Sequence, residues 1–225
     1  MILFDRVAKK YPSHITALED ISLKVDRGEF LFLVGPSGAG KTTILRLLIR
    51  EILPTGGSII FNDWKVNKLK NSEVPYLRRQ IGFVFQDFKL LNDRTVSENI
   101  AVALEILGKS QSVVQERIHE VLRIVHLEGK EDYFPRQLSL GEQQRVAIGR
   151  AVAGKINLLL ADEPTGNLDP KTSWEVLKII NDINKSGITV VVATHNVDIV
   201  NSMKKRVVAL KDGKISRDAT KSRYV

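Results

Sequence analysis

Gly35-Pro36-Ser37-Gly38-Ala39-Gly40-Lys41-Thr42 is the stretch that decides the fold. It satisfies the pattern G-x-x-x-x-G-K-[ST] in full. A polyphosphate is held best by several backbone N–H groups turned inward, and glycine lets a chain wrap that tightly. Upstream, residues 30–34 (FLFLV) read as a buried strand, and downstream, residues 41–52 read as a helix. The loop therefore leads into a helix N-terminus, whose dipole favours an anion. Lys41 can reach the β- and γ-phosphates of a nucleotide, and the Thr42 hydroxyl can ligate Mg²⁺.

Outward from this loop, short β-branched runs at residues 81–85, 158–161, 189–193 and 207–210 alternate with helical patterns. That alternation predicts an α/β fold with a mostly parallel sheet. The front of the chain differs: residues 2–11 and 16–25 read as consecutive strands split by a Pro12-Ser13 turn, which predicts an antiparallel β patch. Residues 90–137 show apolar spacing of three to four at 96–107 and 113–125, with no strand candidate between them. The expected organisation is a single domain over residues 1–225. Its nucleotide-binding core is 1–89 with 138–225, and 90–137 form an inserted helical subdomain.

The 225 residues are 43% hydrophobic and 27% charged, enough for a sizeable core and against wholesale disorder. The absence of cysteine excludes disulfides, thiol catalysis and Cys-ligated zinc. No apolar run approaches the roughly 20 residues of a membrane helix, and no basic stretch leads into an apolar one at the N-terminus. The expectation is a soluble chain on the cytoplasmic side. The net charge of +8 draws on Lys65, Lys68 and Lys70, on Lys204-Lys205-Arg206, and on the tail at 211–223. These are solvated faces, or they draw the chain to an anionic surface such as the inner membrane leaflet. Aromatics are 6% and do not alternate with the basic residues, so no nucleic-acid partner is expected.

Residues 158–163 (LLLADE) are an apolar strand ending in two carboxylates, and strand ends in open α/β sheets point at the ligand crevice. Asp162 is placed to support a magnesium shell, and Glu163 to polarise a water for attack on a γ-phosphate. Acidic residues also cap strands and helices, but the cradle upstream favours the chemical reading. His195 closes the strand at 189–194 and suits a γ-phosphate contact or a water-orienting role. Gln86, just past the strand at 81–85, has an amide able to reach Mg²⁺ or the attacking water, or it is a polar loop residue. Tyr11 suits an adenine platform, and nearly as well a half-buried strand aromatic.

The phosphate loop, Gln86, Ser139-Leu140-Gly141-Glu142-Gln143, Asp162-Glu163, Asn167-Leu168-Asp169 and His195 follow one another in the order of a known family. The chain resembles the ABC transporter-type ATPases over essentially its whole length. That resemblance implies ATP and Mg²⁺ as ligands, with Ser37, Gly38, Ala39, Gly40, Lys41, Thr42 and Thr43 on the nucleotide. It also implies that Thr42, Gln86 and Asp162 attend the metal. Read from the residues alone, Ser139 with Glu142 three positions on is a capping box at the start of a helix. The resemblance adds that this helix tip closes over the γ-phosphate held by a second copy, which brings Ser139, Gly141, Glu142 and Asp169 to the nucleotide of a homodimer. An exposed helix N-terminus suits an anion.

Two positions depart from the family pattern: Leu140 stands where glycine is usual, and Gly149 where alanine is usual. Leucine is tolerated only with its side chain turned away from nucleotide, which bears on closure and turnover rather than on binding. Gly149 costs its helix about 1 kcal/mol by propensity. Residues 69–82 (LKNSEVPYLRRQIG) and 90–96 (LLNDRTV) resemble the cell-division branch of the family. That branch implies a peripheral place on the cell membrane, an integral FtsX-like partner and control of cell-wall hydrolases. The rival readings are the motor of a lipoprotein-releasing or macrolide exporter, and a nucleotide-gated scaffold with little turnover. Phe88, Leu90 and Leu91 offer an apolar rim for a partner helix, or simply pack within the subdomain.

Overall fold

A computed structural model of the chain describes residues 1–12 and 15–219. Ser13 of the expected turn, and Lys221 and Arg223 of the basic tail, lie outside the described residues. The chain forms two compact units, Met1–Arg78 with Thr189–Val225, and Arg79–Ile188.

The first unit opens with the antiparallel patch. Strands β1 (Ile2–Lys10) and β2 (Thr16–Val25) pair with Ile2 opposite Val25 and Phe4 opposite Leu23. Ile2 and Phe4 of one strand and Ile21, Leu23 and Val25 of the other are buried between exposed neighbours, as in a sheet with one solvated face. Strand β3 (Phe30–Val34) is buried at every residue, the mark of a strand covered on both faces. It runs through the phosphate loop into helix α1 (Lys41–Leu48), which turns Ile44, Leu45, Leu47 and Leu48 inward. The helix stops short of residue 52 because Arg50 adopts a left-handed backbone (φ 55°) and Pro54 follows. Strands β4 (Gly56–Phe61) and β5 (Trp64–Lys65) extend the antiparallel patch from β1 and had no counterpart in the sequence expectation. Helix α2 (Val74–Arg78) ends this segment.

The remaining pieces of the first unit complete the parallel sheet around β3. A second parallel segment begins in the other unit with β6 (Ile81–Val84) and β7 (Leu158–Asp162), which pair from Ile81 with Leu158 to Val84 with Ala161. Parallel strands need a crossover. Here it holds α3 (Val96–Glu105), α4 (Gln111–Ile124) and α5 (Leu140–Val152), and between residues 90 and 137 the described structure contains no strand. Buried Val96, Ile100 and Leu104 on α3, and Val114, Ile118 and Val121 on α4, keep the helical spacing. A Cβ on Gly149 would lie 3.0 Å from Val121 Cγ1 and 3.6 Å from Ile100 Cδ1, so the missing side chain lets α5 approach its neighbours closely. Helix α6 (Pro170–Lys185) follows β7.

Back in the first unit, β8 (Thr189–Thr194) and β9 (Arg206–Lys211) flank β3 and run parallel to it, with α7 (Val197–Met203) between them in sequence. Strand β10 (Lys214–Ala219) returns antiparallel to β9. Arg206 of the basic cluster is bound to structure: it pairs with Glu29 at 2.9 Å and Asp218 at 2.7 Å and donates to the Lys24 carbonyl.

Candidate nucleotide site

The phosphate loop is shaped by close backbone approach. Gly35 (φ 147°) lies so near β9 that a Cβ would meet the Leu210 carbonyl oxygen at 2.3 Å. Gly40 (φ 104°) is the N-cap of α1, and a Cβ there would meet Leu18 Cδ2 at 2.5 Å and the Ala17 carbonyl oxygen at 2.7 Å. Both positions need a left-handed backbone and bare Cα, which only glycine supplies cheaply. Ser37 and Gly38 at the loop's crest are exposed, Ala39 is buried, and Thr42 and Thr43 are half-buried in the first turn of α1. Lys41 is itself buried, and its Nζ donates to the carbonyls of Gly35 at 2.7 Å and Pro36 at 3.1 Å. The lysine thus folds back onto the start of its own loop, with its ammonium held by the Gly35 and Pro36 carbonyls.

Tyr11 is half-buried one residue past β1, with the Lys9 ammonium 5.1 Å from its ring centre. The negative face of the ring attracts that cation, and no hydrogen bond or ring contact joins Tyr11 to the loop among the described residues. His195 is exposed one residue past β8.

The other unit gathers the carboxylates. Asp162 ends β7 and is buried, and Glu163 follows with a left-handed backbone (φ 47°). Such a conformation costs a non-glycine residue on the order of 1 kcal/mol and collects where geometry matters more than ease. The turn closes with the Gly166 N–H on the Glu163 carbonyl at 3.1 Å. A Cβ on Gly166 would stand 3.7 Å from Glu163 Cβ and 3.9 Å from Gln86 Nε2, so the Gln86 amide and the root of the Glu163 side chain both lie beside this turn.

The helix tip is also built as expected. Ser139 Oγ accepts from the Glu142 N–H at 3.3 Å while the Glu142 carboxylate accepts from the Ser139 N–H at 2.8 Å. Lys130 forms an ion pair with the same carboxylate and, with the Ser139 bonds, holds its pKa down at about 2. Leu140 is 52% exposed, and Gly141 is buried against Thr172. Asp169 caps α6 by accepting from the Thr172 N–H at 3.0 Å, and hydrogen bonding from the Thr172 side chain first, then from that N–H, lowers its pKa. Lys130 and Thr172 escaped the sequence reading: each acts on the tip from a different element, and no local spacing marks either. The cap of α6 was legible, since Asp169-Pro170 is an N-cap followed by proline at the first helical position.

The ABC transporter family model matches residues 18–166. The chain belongs to the ABC transporter family. Among ABC proteins it is 52% identical over 224 residues to the cell division ATP-binding protein FtsE of Bacillus subtilis, covering 100% of this chain and 98% of that one. The FtsE of Mycobacterium tuberculosis is 49% identical, over 100% of this chain and 98% of its own. The FtsE of Escherichia coli is 46% identical, over 95% and 96%. Of solved ABC structures, a dimeric ATP-binding cassette in a post-hydrolysis state with ADP and Pi superposes with a TM-score of 0.90 at 36% identity, covering 100% of both chains. The chain is an ABC ATPase of the FtsE type, with the α/β fold, parallel sheet and antiparallel patch that its sequence predicts.

Proposed function

We propose that two copies of this chain close on ATP and pass that closure to an integral, FtsX-like membrane subunit that controls cell-wall hydrolases during cell division. The observation that carries this reading is the likeness to FtsE proteins along the whole chain, signature helix included. Residues 1–89 and 138–225 form the core in this reading, and 90–137 the helical subdomain that meets the membrane subunit. No helix among the described residues is long and apolar enough to cross a membrane. Attachment in this reading is peripheral, at the cytoplasmic face, as the likeness to FtsE proteins suggests.

Ser37 to Thr43 wrap the phosphates with backbone N–H groups, and Lys41 leaves its loop carbonyls for phosphate oxygens. Tyr11 takes the adenine. Thr42, Gln86 and Asp162 offer a hydroxyl, an amide oxygen and a carboxylate, hard oxygens of the kind Mg²⁺ takes. In this reading the three would share the ion with substrate phosphates, as Mg²⁺ sites commonly do. The metal when bound supplies charge neutralisation on the β- and γ-oxygens. Glu163 polarises the attacking water, and His195 orients it against the γ-phosphate. Ser139, Gly141, Glu142 and Asp169 of the second copy seal the site, and release of phosphate opens it. Leu140, exposed beside the sealing residues, favours one second reading, a nucleotide-gated scaffold in which closure matters more than turnover.

Pull-down from membranes with the full-length chain and ATP tests the proposal. An integral protein should co-purify, and Lys41→Ala should abolish its capture. Capture of no integral protein, or of an equal amount with Lys41→Ala, overturns the membrane coupling. A steady-state phosphate-release assay separates motor from scaffold.

A further inference from the structure

Arg150 stands in the last turn of α5 and has no carboxylate partner among the described residues. Burial without an acid nearby lowers its pKa from the ordinary value. Its charge is met instead by backbone: Nη1 donates to the Lys89 carbonyl at 2.7 Å and Nη2 to the Phe88 carbonyl at 2.8 Å. Bonds from a guanidinium are charge-assisted and geometrically fixed, so both carbonyls are held in place.

Those carbonyls belong to consecutive residues with left-handed backbones, Phe88 at φ 58° and Lys89 at φ 50°. Non-glycine residues stay in that region only when their surroundings hold them there. The turn's own holds are local: the Lys89–Asp87 ion pair at 2.7 Å, whose side chains are both largely exposed and which contributes little, and the Lys89 N–H on the Asp87 carbonyl at 2.6 Å; neither ties the turn to another element. Arg150 is therefore the clamp. The turn it clamps starts with the Phe88 N–H on the Phe85 carbonyl at 3.2 Å, which encloses Gln86. At the other end of α5, about 14 Å away by helical rise, stand Ser139 and Gly141. One rigid helix thus joins the tip that meets a second copy's nucleotide to the turn that carries Gln86.

We propose that Arg150 is a positioning residue that transmits a shift of α5, taken up at Ser139 and Gly141 on dimer closure, to Gln86 in the same copy. This rests on the dimer reading above. A nucleotide bound in one site of the dimer then adjusts the amide that serves the other. The two bonds keep the left-handed turn in register as α5 moves, and losing them lets Phe88 and Lys89 relax and carries Gln86 away from its productive place.

The test is hydrolysis rate against ATP concentration for the full-length chain, with Arg150→Met, Arg150→Lys, Gln86→Ala and the Gln86→Ala/Arg150→Met double variant. Arg150→Met should lose about tenfold in kcat while KM moves less than about threefold, and the double variant should be no slower than Gln86→Ala alone. Arg150→Lys, able to reach one carbonyl, should fall between. Wild-type kcat in Arg150→Met overturns the proposal. So do independent, multiplicative losses in the double variant, and so does failure of both Arg150 variants to show a cooperative thermal transition, which would make the residue structural. Absence of turnover in the wild type would instead fail the ATPase motor itself.

Discussion

The Thr172 methyl carbon occupies the space beside Gly141 so fully that a Cβ built on that glycine would lie 2.2 Å from it. Thr172 is fixed in turn by its N–H on Asp169 at 3.0 Å, so the tips of α5 and α6 are locked as a pair. Leu140, next in line, is 52% exposed and has a helical backbone with negative φ, so its side chain meets no such obstacle. Gly141→Ala should therefore cost about 1–3 kcal/mol by overpacking, read as a lower melting temperature. Removing the methyl with Thr172→Ser in the same chain should recover most of the loss. Leu140→Gly should leave packing intact, and a melting temperature falling as far as for Gly141→Ala would refute this division of labour.

Lys41 bonds to the carbonyls of Gly35 and Pro36 in the loop it caps, yet that loop's shape is set by Gly35 and Gly40 against β9 and β2. Lys41→Ala should consequently leave the fold standing and strike the ligand. Calorimetric titration should show ATP affinity down by about tenfold or more, the loss expected when a charge-assisted contact to phosphate is removed. Unchanged affinity would count against the cradle.

The cradle, the strand ending in Asp162-Glu163 and the Ser139 capping box were legible because each is written in contiguous residues whose spacing carries its own physics. The strands β4 and β5 were not, since Gly56 and Gly57 open β4 and β5 has only two residues, leaving no run long enough to show a period. Gly149 read as a helix defect, and only the approach of Val121 from α4 explains it. Lys130 and Arg150 illustrate the same limit. Their partners, Glu142 in one case and the Phe88 and Lys89 carbonyls in the other, lie 12 and about 60 residues away, beyond any local pattern.

Glu163 keeps a left-handed backbone at the end of β7, and the Gly166 N–H closes the turn on its carbonyl rather than on its side chain. Glu163→Gln should therefore preserve the turn and remove only the carboxylate charge. ATP binding should persist, turnover should fall by about two orders of magnitude or more, and a nucleotide-bound dimer should accumulate in size-exclusion chromatography. Turnover at the wild-type rate in this variant would rule out the water-polarising role.

The Glu142 carboxylate gives a pH signature. Its pKa is held at about 2, first by Lys130 and then by the Ser139 N–H and hydroxyl, against an ordinary 4.5. A depressed folded-state pKa contributes stability that is present above the unfolded value and lost as pH falls through the folded one. The contribution is therefore full near pH 7, erodes below 4.5 and is gone by about 2. Lys130 is about a third exposed, so solvent screening reduces it to on the order of 1 kcal/mol. Lys130→Met should lower the melting temperature at pH 7, and the gap to the wild type should narrow steadily as pH is taken from 4.5 towards 3. A gap that stays constant over that range would show that Lys130 supports the α5 tip by packing and not by charge.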